Sequence, residues 1–333
     1  MNLYRAELHR ILRRRITLVF GILTAAGALL LAGIVWSASS QSMTEAEREI
    51  ARQEVAAEYP DYAACLEDED YLYEVQGWPE YDAALREMPH EQACDEFVAP
   101  WEAWDELGYS TYTFRFESEG VWFLVGSSIV VGLLTMFLAA SSIGAEWSSG
   151  GIANLLLWHP HRIKVWGAKL GAAVSVTAIM VLAAMVLEFL LLYPAAAVRG
   201  EIGTLDAAWW SDTLGMLART LALVIGMSVF GASMAMLGRH TAIAGGVIVG
   251  YLIFGEMIVQ YSTYAANVAF PERFSLYTWA GAWLNGEIEL YDWSGRAAAE
   301  TMTITSADSS LLLGGIVVLF TALATWAFVK RDT

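Results

Sequence analysis

The 333 residues are 56% apolar and carry a formal charge of −17, and the apolar residues come in blocks too long for a soluble core. Blocks of that kind mean a membrane protein. The acidity is confined: residues 38–120 hold 22 Asp or Glu against four Arg, while the rest of the chain balances 15 basic against 14 acidic groups, a distribution that argues against a nucleic-acid partner.

The chain opens on MNLYRAELHRILRRR, in which Tyr4, Leu8, Ile11 and Leu12 share one helical face and Arg5, Arg10, Arg13 and Arg14 lie mostly away from it. This predicts an amphipathic helix over residues 1–15 lying on the cytosolic leaflet. Residues 16–37 follow without a charge. At about 1.5 Å per residue that length crosses the roughly 30 Å hydrocarbon core, so a retained first span is read rather than a cleaved signal peptide, whose apolar region is shorter.

Residues 38–120 contain Thr44 and Glu47 at the spacing of a capping box. They also carry Tyr59, Tyr62, Tyr71, Tyr73, Trp78, Tyr81, Trp101 and Trp104, more aromatics than a disordered segment usually holds. A small, mostly helical folded subdomain is predicted. Cys65 and Cys94, the two cysteines of the chain, both fall inside it. In an extracytoplasmic subdomain they can form a disulfide, or they remain two thiols that never meet.

Further spans are read at residues 121–142, 165–193, 213–237, 241–260 and 310–329, with a cytosolic loop at 143–164. Residues 261–309 form an aromatic outer segment with Tyr261, Tyr264, Phe270, Phe274, Tyr277, Trp279, Trp283, Tyr291 and Trp293; within it, residues 274–284 predict a short helix on or dipping into the outer leaflet. Six spans put both termini on one side. Arg5, Arg10, Arg13, Arg14, Arg15, Arg162, Lys164, Lys169, Arg239, Lys330 and Arg331 all fall at ends predicted to be cytosolic, as the positive-inside rule requires.

Enzyme motifs are missing. Lys164, Lys169 and Lys330 follow Ile, Ala and Val, so the chain has no P-loop. Nor does it contain a His-Glu-x-x-His, Cys-x-x-Cys or Gly-x-Ser-x-Gly pattern, and His9, His90, His159, His161 and His240 are scattered. His159 and His161 flank Pro160 as in a solvated turn, and Met216, Met227, Met234 and Met236 have no Cys or His beside them, so no metal site is expected. Three ionisable residues lie inside spans, Glu188, Arg219 and Glu256. Each is about 8–12 Å from the outer end of its helix at the helical rise. A Glu-Arg-Glu cluster is therefore expected, either joining helices or forming a polar patch on a substrate path.

Residues 144–169, GAEWSSGGIANLLLWHPHRIKVWGAK, lie between two apolar blocks. The run Gly144-Ala145-Glu146-Trp147-Ser148-Ser149-Gly150, then Asn154-Leu155-Leu156, Pro160-His161-Arg162 and Ala168-Lys169, resembles the corresponding loop of the ABC-2 type permeases, the membrane subunits of ABC exporters. The resemblance extends to the whole six-span plan. It implies a pair of permeases, identical or homologous, with two copies of an ATPase subunit that holds ATP and Mg, this chain itself carrying no cofactor. It also implies that the loop inserts a short coupling helix into a cleft on the ATPase. On that reading Ser149 and Gly150 give a cappable start, residues 152–157, with Ile152, Asn154, Leu155 and Leu156 among them, offer a face to the partner, and Arg162 stays near acidic rims and phosphates. Glu146 stabilises the helix start or meets an arginine on the partner.

The expectation is an all-α integral membrane protein of a bacterial-type cytoplasmic membrane, with six transmembrane helices, both termini cytosolic and residues 38–120 extracytoplasmic. Membrane lipid surrounds it. The expected function is a non-enzymatic permease subunit exporting an amphipathic peptide, antibiotic or lipid-like substrate, because the spans offer little buried polarity. The alternative is a non-transporting sensor or scaffold that relays ATPase-driven shape change to its outer subdomain.

Overall fold

Apolar length decides the largest elements. The structure, a computed structural model, describes residues 3–68, 71–72, 88–109, 112–266, 268–291 and 301–330. Tyr73, Trp78, Tyr81, Trp293 and Arg331, all used in the sequence reading, lie outside the described residues. In chain order the helices are α1 (Leu3–Leu12), α2 (Arg15–Ala38), α3 (Glu45–Glu58), α4 (Pro60–Glu67), α5 (His90–Phe97), α6 (Val121–Ser148) and α7 (Gly151–Trp158). There follow α8 (Arg162–Arg199), α9 (Ala207–Gly238), α10 (Thr241–Gly250), α11 (Glu256–Ala265), α12 (Leu276–Asn285), strands β1 (Glu287–Tyr291) and β2 (Thr301–Thr305), and α13 (Ser306–Lys330).

Among the described residues five helices, α2, α6, α8, α9 and α13, are long and apolar enough to cross a membrane. The expected span at 241–260 is instead built from α10, a π turn at Tyr251–Gly255 and α11 in succession. The wider turn lies beside the segment's one ionisable residue: the Tyr251 hydroxyl donates to the Glu256 carboxylate at 2.6 Å. A helix interrupted where its acid finds a local partner follows from the cost of a bare carboxylate in hydrocarbon.

Two compact units divide the chain. One comprises Met1–Leu31, Gly120–Leu191 and Thr204–Thr333. Within it α6 and α9 make the most extensive helix pair, and α9 also packs on α13. Ala139, Ala140, Ala232 and Ala235 lie almost fully buried in one shared cluster, since small side chains let helices approach closely where lipid is as apolar as protein. The α2 helix does the opposite and turns Leu18, Ile22, Leu29 and Leu30 outward. In hydrocarbon such exposure carries no penalty.

The same unit departs from the all-α expectation in one place. Strands β1 and β2 pair antiparallel, Glu287 opposite Thr305 and Tyr291 opposite Thr301, with Leu290 and Ile304 buried. The signal was legible as a two-residue alternation in Glu-Ile-Glu-Leu-Tyr and Thr-Met-Thr-Ile-Thr.

The second unit comprises Ala32–Glu119 and Leu192–Gly203. The Thr44 and Glu47 capping box forms, the Thr44 hydroxyl accepting from the Glu47 amide and the Glu47 carboxylate accepting from the Thr44 amide at 2.8 Å. Val55, Tyr62, Cys65, Leu72, Cys94 and Leu107 make its core. At its centre Arg52 meets Asp95 at 2.9 Å, both buried, while the Tyr62 and Tyr109 hydroxyls donate to the same carboxylate. Burial and that carboxylate raise the pKa of both phenols, Tyr109 to about 12, so they stay protonated donors.

Cys65 and Cys94 are joined in a disulfide 29 residues apart in sequence. Replacing both with serine is expected to remove about 3–4 kcal/mol from this unit's stability, the entropy that a link of this length withholds from the unfolded chain. Limited proteolysis of the full chain measures it: cleavage within residues 45–107 should accelerate, and an unchanged rate would show that the Arg52 and Asp95 core suffices.

Candidate functional site

Residues 144–169 fold as the end of α6, the whole of α7 and the start of α8. Gly144 is a point of close approach: a Cβ there would lie 2.5 Å from the Thr241 amide nitrogen at the start of α10. Ser149 caps α6, and Gly150 turns the chain with φ +70°, a left-handed conformation that glycine adopts without a Cβ clash. Two residues, Ser149 and Gly150, therefore separate the long helix from the short one. At the other end Pro160 disfavours a helical residue before it, so α7 stops at Trp158 and α8 begins at Arg162.

The two faces of α7 are unlike. Ile152 is 1% exposed and sits in a cluster with Ile143, Val165, Trp166 and Phe328, with Leu155 and Leu156 packed against it. Asn154 is exposed, and Leu157 and Trp158 are 81% and 84% exposed at the helix tip. Of the residues expected to face a partner, Ile152 is packed inside the protein, while Asn154 and Leu157, with Trp158 next to them, lie at the surface.

Behind α7 lies a network of four charges. Glu146, 8% exposed, accepts from the Arg10 guanidinium at 2.8 Å and from Lys169 Nζ at 2.5 Å. Lys169 also donates to Glu7 at 3.0 Å, and Arg10 lies 3.5 Å from Glu7. Two acids and two bases from α1, α6 and α8 thus balance to zero, with Glu7 and Lys169 2% and 3% exposed. Burial works against the Arg10 charge, yet Glu146 and Glu7 together hold its pKa above the ordinary value. The sequence reading had Glu146 stabilising the helix start or meeting a partner's arginine; here its arginine is Arg10 of its own chain.

The neighbouring contacts lock the same region. Apolar Tyr4, Leu8 and Ile11 of α1 pack against Leu138, Ala172 and Val176, and the Tyr4 hydroxyl meets Ser175 at 2.7 Å. The α1 helix therefore lays Tyr4, Leu8 and Ile11 on α6 and α8, and Leu12 stays exposed. Arg14 donates to the Ser141 and Ser142 carbonyls. Arg162 donates to the Phe328 carbonyl at 2.9 Å near the end of α13. Trp147 stacks under Arg239 at 4.6 Å, meets Phe328 edge-on and donates to Met236 sulfur.

The three intramembrane residues find different partners. Glu188, 1% exposed on α8, accepts from the Ser127 hydroxyl of α6. Glu256 takes the Tyr251 hydroxyl, and the Arg219 carbonyl takes the Trp283 indole at 2.8 Å while its Nε has no partner. Among the described residues no ion pair joins Glu188, Arg219 and Glu256, since equal depth along three helices leaves their rotations free. Cys65, His90 and Cys94 bring possible metal-ligand atoms within 4.8 Å of one another, but both sulfurs are spent in the disulfide. His159 and His161 are exposed beside Pro160. Sequence reasoning missed Arg10 and Lys169 as partners of Glu146 and Glu7 as the second acid they share; the one local hint was the three-residue spacing of Glu7 and Arg10 on an otherwise amphipathic helix.

A family model described as ABC-2 family transporter protein matches residues 1–333. No curated protein and no solved structure matches the chain. The apolar helices and the end-to-end family match agree on a multi-pass membrane protein, and the chain belongs to the ABC-2 transporter family.

Proposed function

We propose that this chain is the permease subunit of an ATP-driven exporter, with α7 as the coupling helix that seats in a cleft of a separate ATPase. The observation that carries the proposal is the two-faced α7: one side is anchored in the bundle by Ile152, and its tip offers Leu157 and Trp158 outward. A force applied to that tip reaches α1, α6 and α8 through the charge network, because Glu146, Lys169, Glu7 and Arg10 tie those helices together. Two ATPase copies and a second permease, identical or homologous, complete the assembly. The termini and α7 are cytosolic, as the basic residues around them favour. Residues 38–120 are extracytoplasmic, which suits their disulfide. The substrate is amphipathic, in keeping with helices whose buried polar groups are mostly Ser and Thr hydroxyls.

A second reading, a sensor or scaffold, is favoured by the separately packed, disulfide-linked unit with its own core. One experiment tests both. Reconstituted with its cognate ATPase in vesicles, the chain should support ATP-dependent movement of an amphipathic dye, and the chain alone should hydrolyse no ATP. Deleting residues 45–112 should leave movement intact on the exporter reading. Abolished ligand response with intact hydrolysis would favour the sensor, and hydrolysis by the pure chain would overturn both.

A further inference from the structure

On α9, Arg219, Ala222, Leu223, Gly226 and Phe230 recur at helical spacing, and the last four line a cavity of about 430 Å³. Its opposite walls come from α13, with Leu313, Gly314 and Val317, and from Trp283 of α12. The lining is almost wholly apolar. Trp283 both lines the cavity and donates its indole N–H to the Arg219 carbonyl, so the Arg219 backbone adjoins the cavity one turn beyond Ala222 and Leu223, with its guanidinium beside Gly286 at the end of α12. The Arg219 Nε is buried without a hydrogen-bond partner, and no ion pair holds the guanidinium among the described residues. A cation in that position calls for an anion.

Depth says which anion. The α9 and α13 helices end at Gly238 and Lys330, next to Arg239 and Lys330. About 20 residues back from those ends, some 30 Å of helix, lie Arg219 and Ser310. Two helices counted independently thus put the cavity in the leaflet away from Arg239 and Lys330. Arg219 stands where hydrocarbon gives way to headgroups. An apolar cavity lying mostly in one leaflet, with a cation beside its outer end, matches a phospholipid: the acyl chain fills the cavity and the phosphate takes the guanidinium fork.

We propose that this cavity with Arg219 is a binding site for an anionic phospholipid. The site does not depend on the transport reading, because binding is measured without nucleotide. The test is native mass spectrometry of the full chain in detergent, titrated with phosphatidylglycerol and separately with phosphatidylcholine of the same acyl chains. Phosphatidylglycerol should be retained preferentially. Arg219→Gln should lower that retention about tenfold, as expected for loss of a charge-assisted hydrogen bond, and lower phosphatidylcholine retention less, because the choline cation already offsets that lipid's phosphate. Arg219→Lys, which keeps the charge, should retain most of the preference. Gly314→Leu grows a side chain from a position with open space around it and should lower retention of both lipids. Wild-type thermal unfolding of Arg219→Lys and Gly314→Leu separates these effects from misfolding. Phosphatidylglycerol retention indifferent to Arg219→Gln would overturn the proposal. So would a Gly314→Leu chain that loses self-association but keeps its lipid, which would assign the cavity to a second copy.

Discussion

Replacing Leu157 and Trp158 together with glutamate should reduce recovery of the cognate ATPase with the tagged chain at least about 30-fold, while the chain itself stays folded. The magnitude follows from burial of a tryptophan anchor in a partner pocket, about 2 kcal/mol or more, before the cost of burying new charge is added. Stability should hold because the two side chains are 81% and 84% exposed and contribute little to the bundle. Ile152 cannot serve in this test: at 1% exposure its replacement damages the core beside Val165 and Phe328, and loss of the ATPase would then report misfolding. Co-purification at wild-type stoichiometry with the double glutamate variant would remove α7 as the contact.

Lys169→Met should cost about 3–5 kcal/mol of stability, the usual penalty for breaking a buried charge pair and leaving its partner uncompensated. Here the orphaned groups would be Glu7 and Glu146, both nearly buried and then facing each other with Arg10 as their remaining cation. Adding Glu7→Gln restores charge balance, so the double variant should be more stable than Lys169→Met alone. A positive coupling of this kind is the signature of a shared network. Thermal unfolding of the purified chain measures both, and additive losses would mean that Glu7 and Lys169 act independently. Because the pair is buried, salt should change the result little.

These experiments turn on features that sequence and structure disclosed in different ways. Uncharged length marked the membrane helices, since about 20 apolar residues match the hydrocarbon core whatever surrounds them. The capping box at Thr44 and Glu47 and the turn at Gly150 were also legible, because each depends on residues a few positions apart. The hairpin of β1 and β2 carries its alternation in residues 287–291 and 301–305, next to a run of aromatics that reads as membrane interface.

The rest depended on helix rotation. In water, burial would distinguish the two faces of a helix by polarity, but lipid is as apolar as leucine, so hydropathy does not separate protein-facing from lipid-facing side chains. For that reason the sequence by itself determined the membrane class, the α7 segment, the chemistry of Glu146 and the family resemblance. Only the tertiary structure decided that Ile152 turns inward and Trp158 outward, that Glu146 pairs with Arg10 and Lys169, and that Glu188, Arg219 and Glu256 face different neighbours. Contacts between residues 136 and 162 positions apart, as in Arg10 with Glu146 and Glu7 with Lys169, are set by how helices pack.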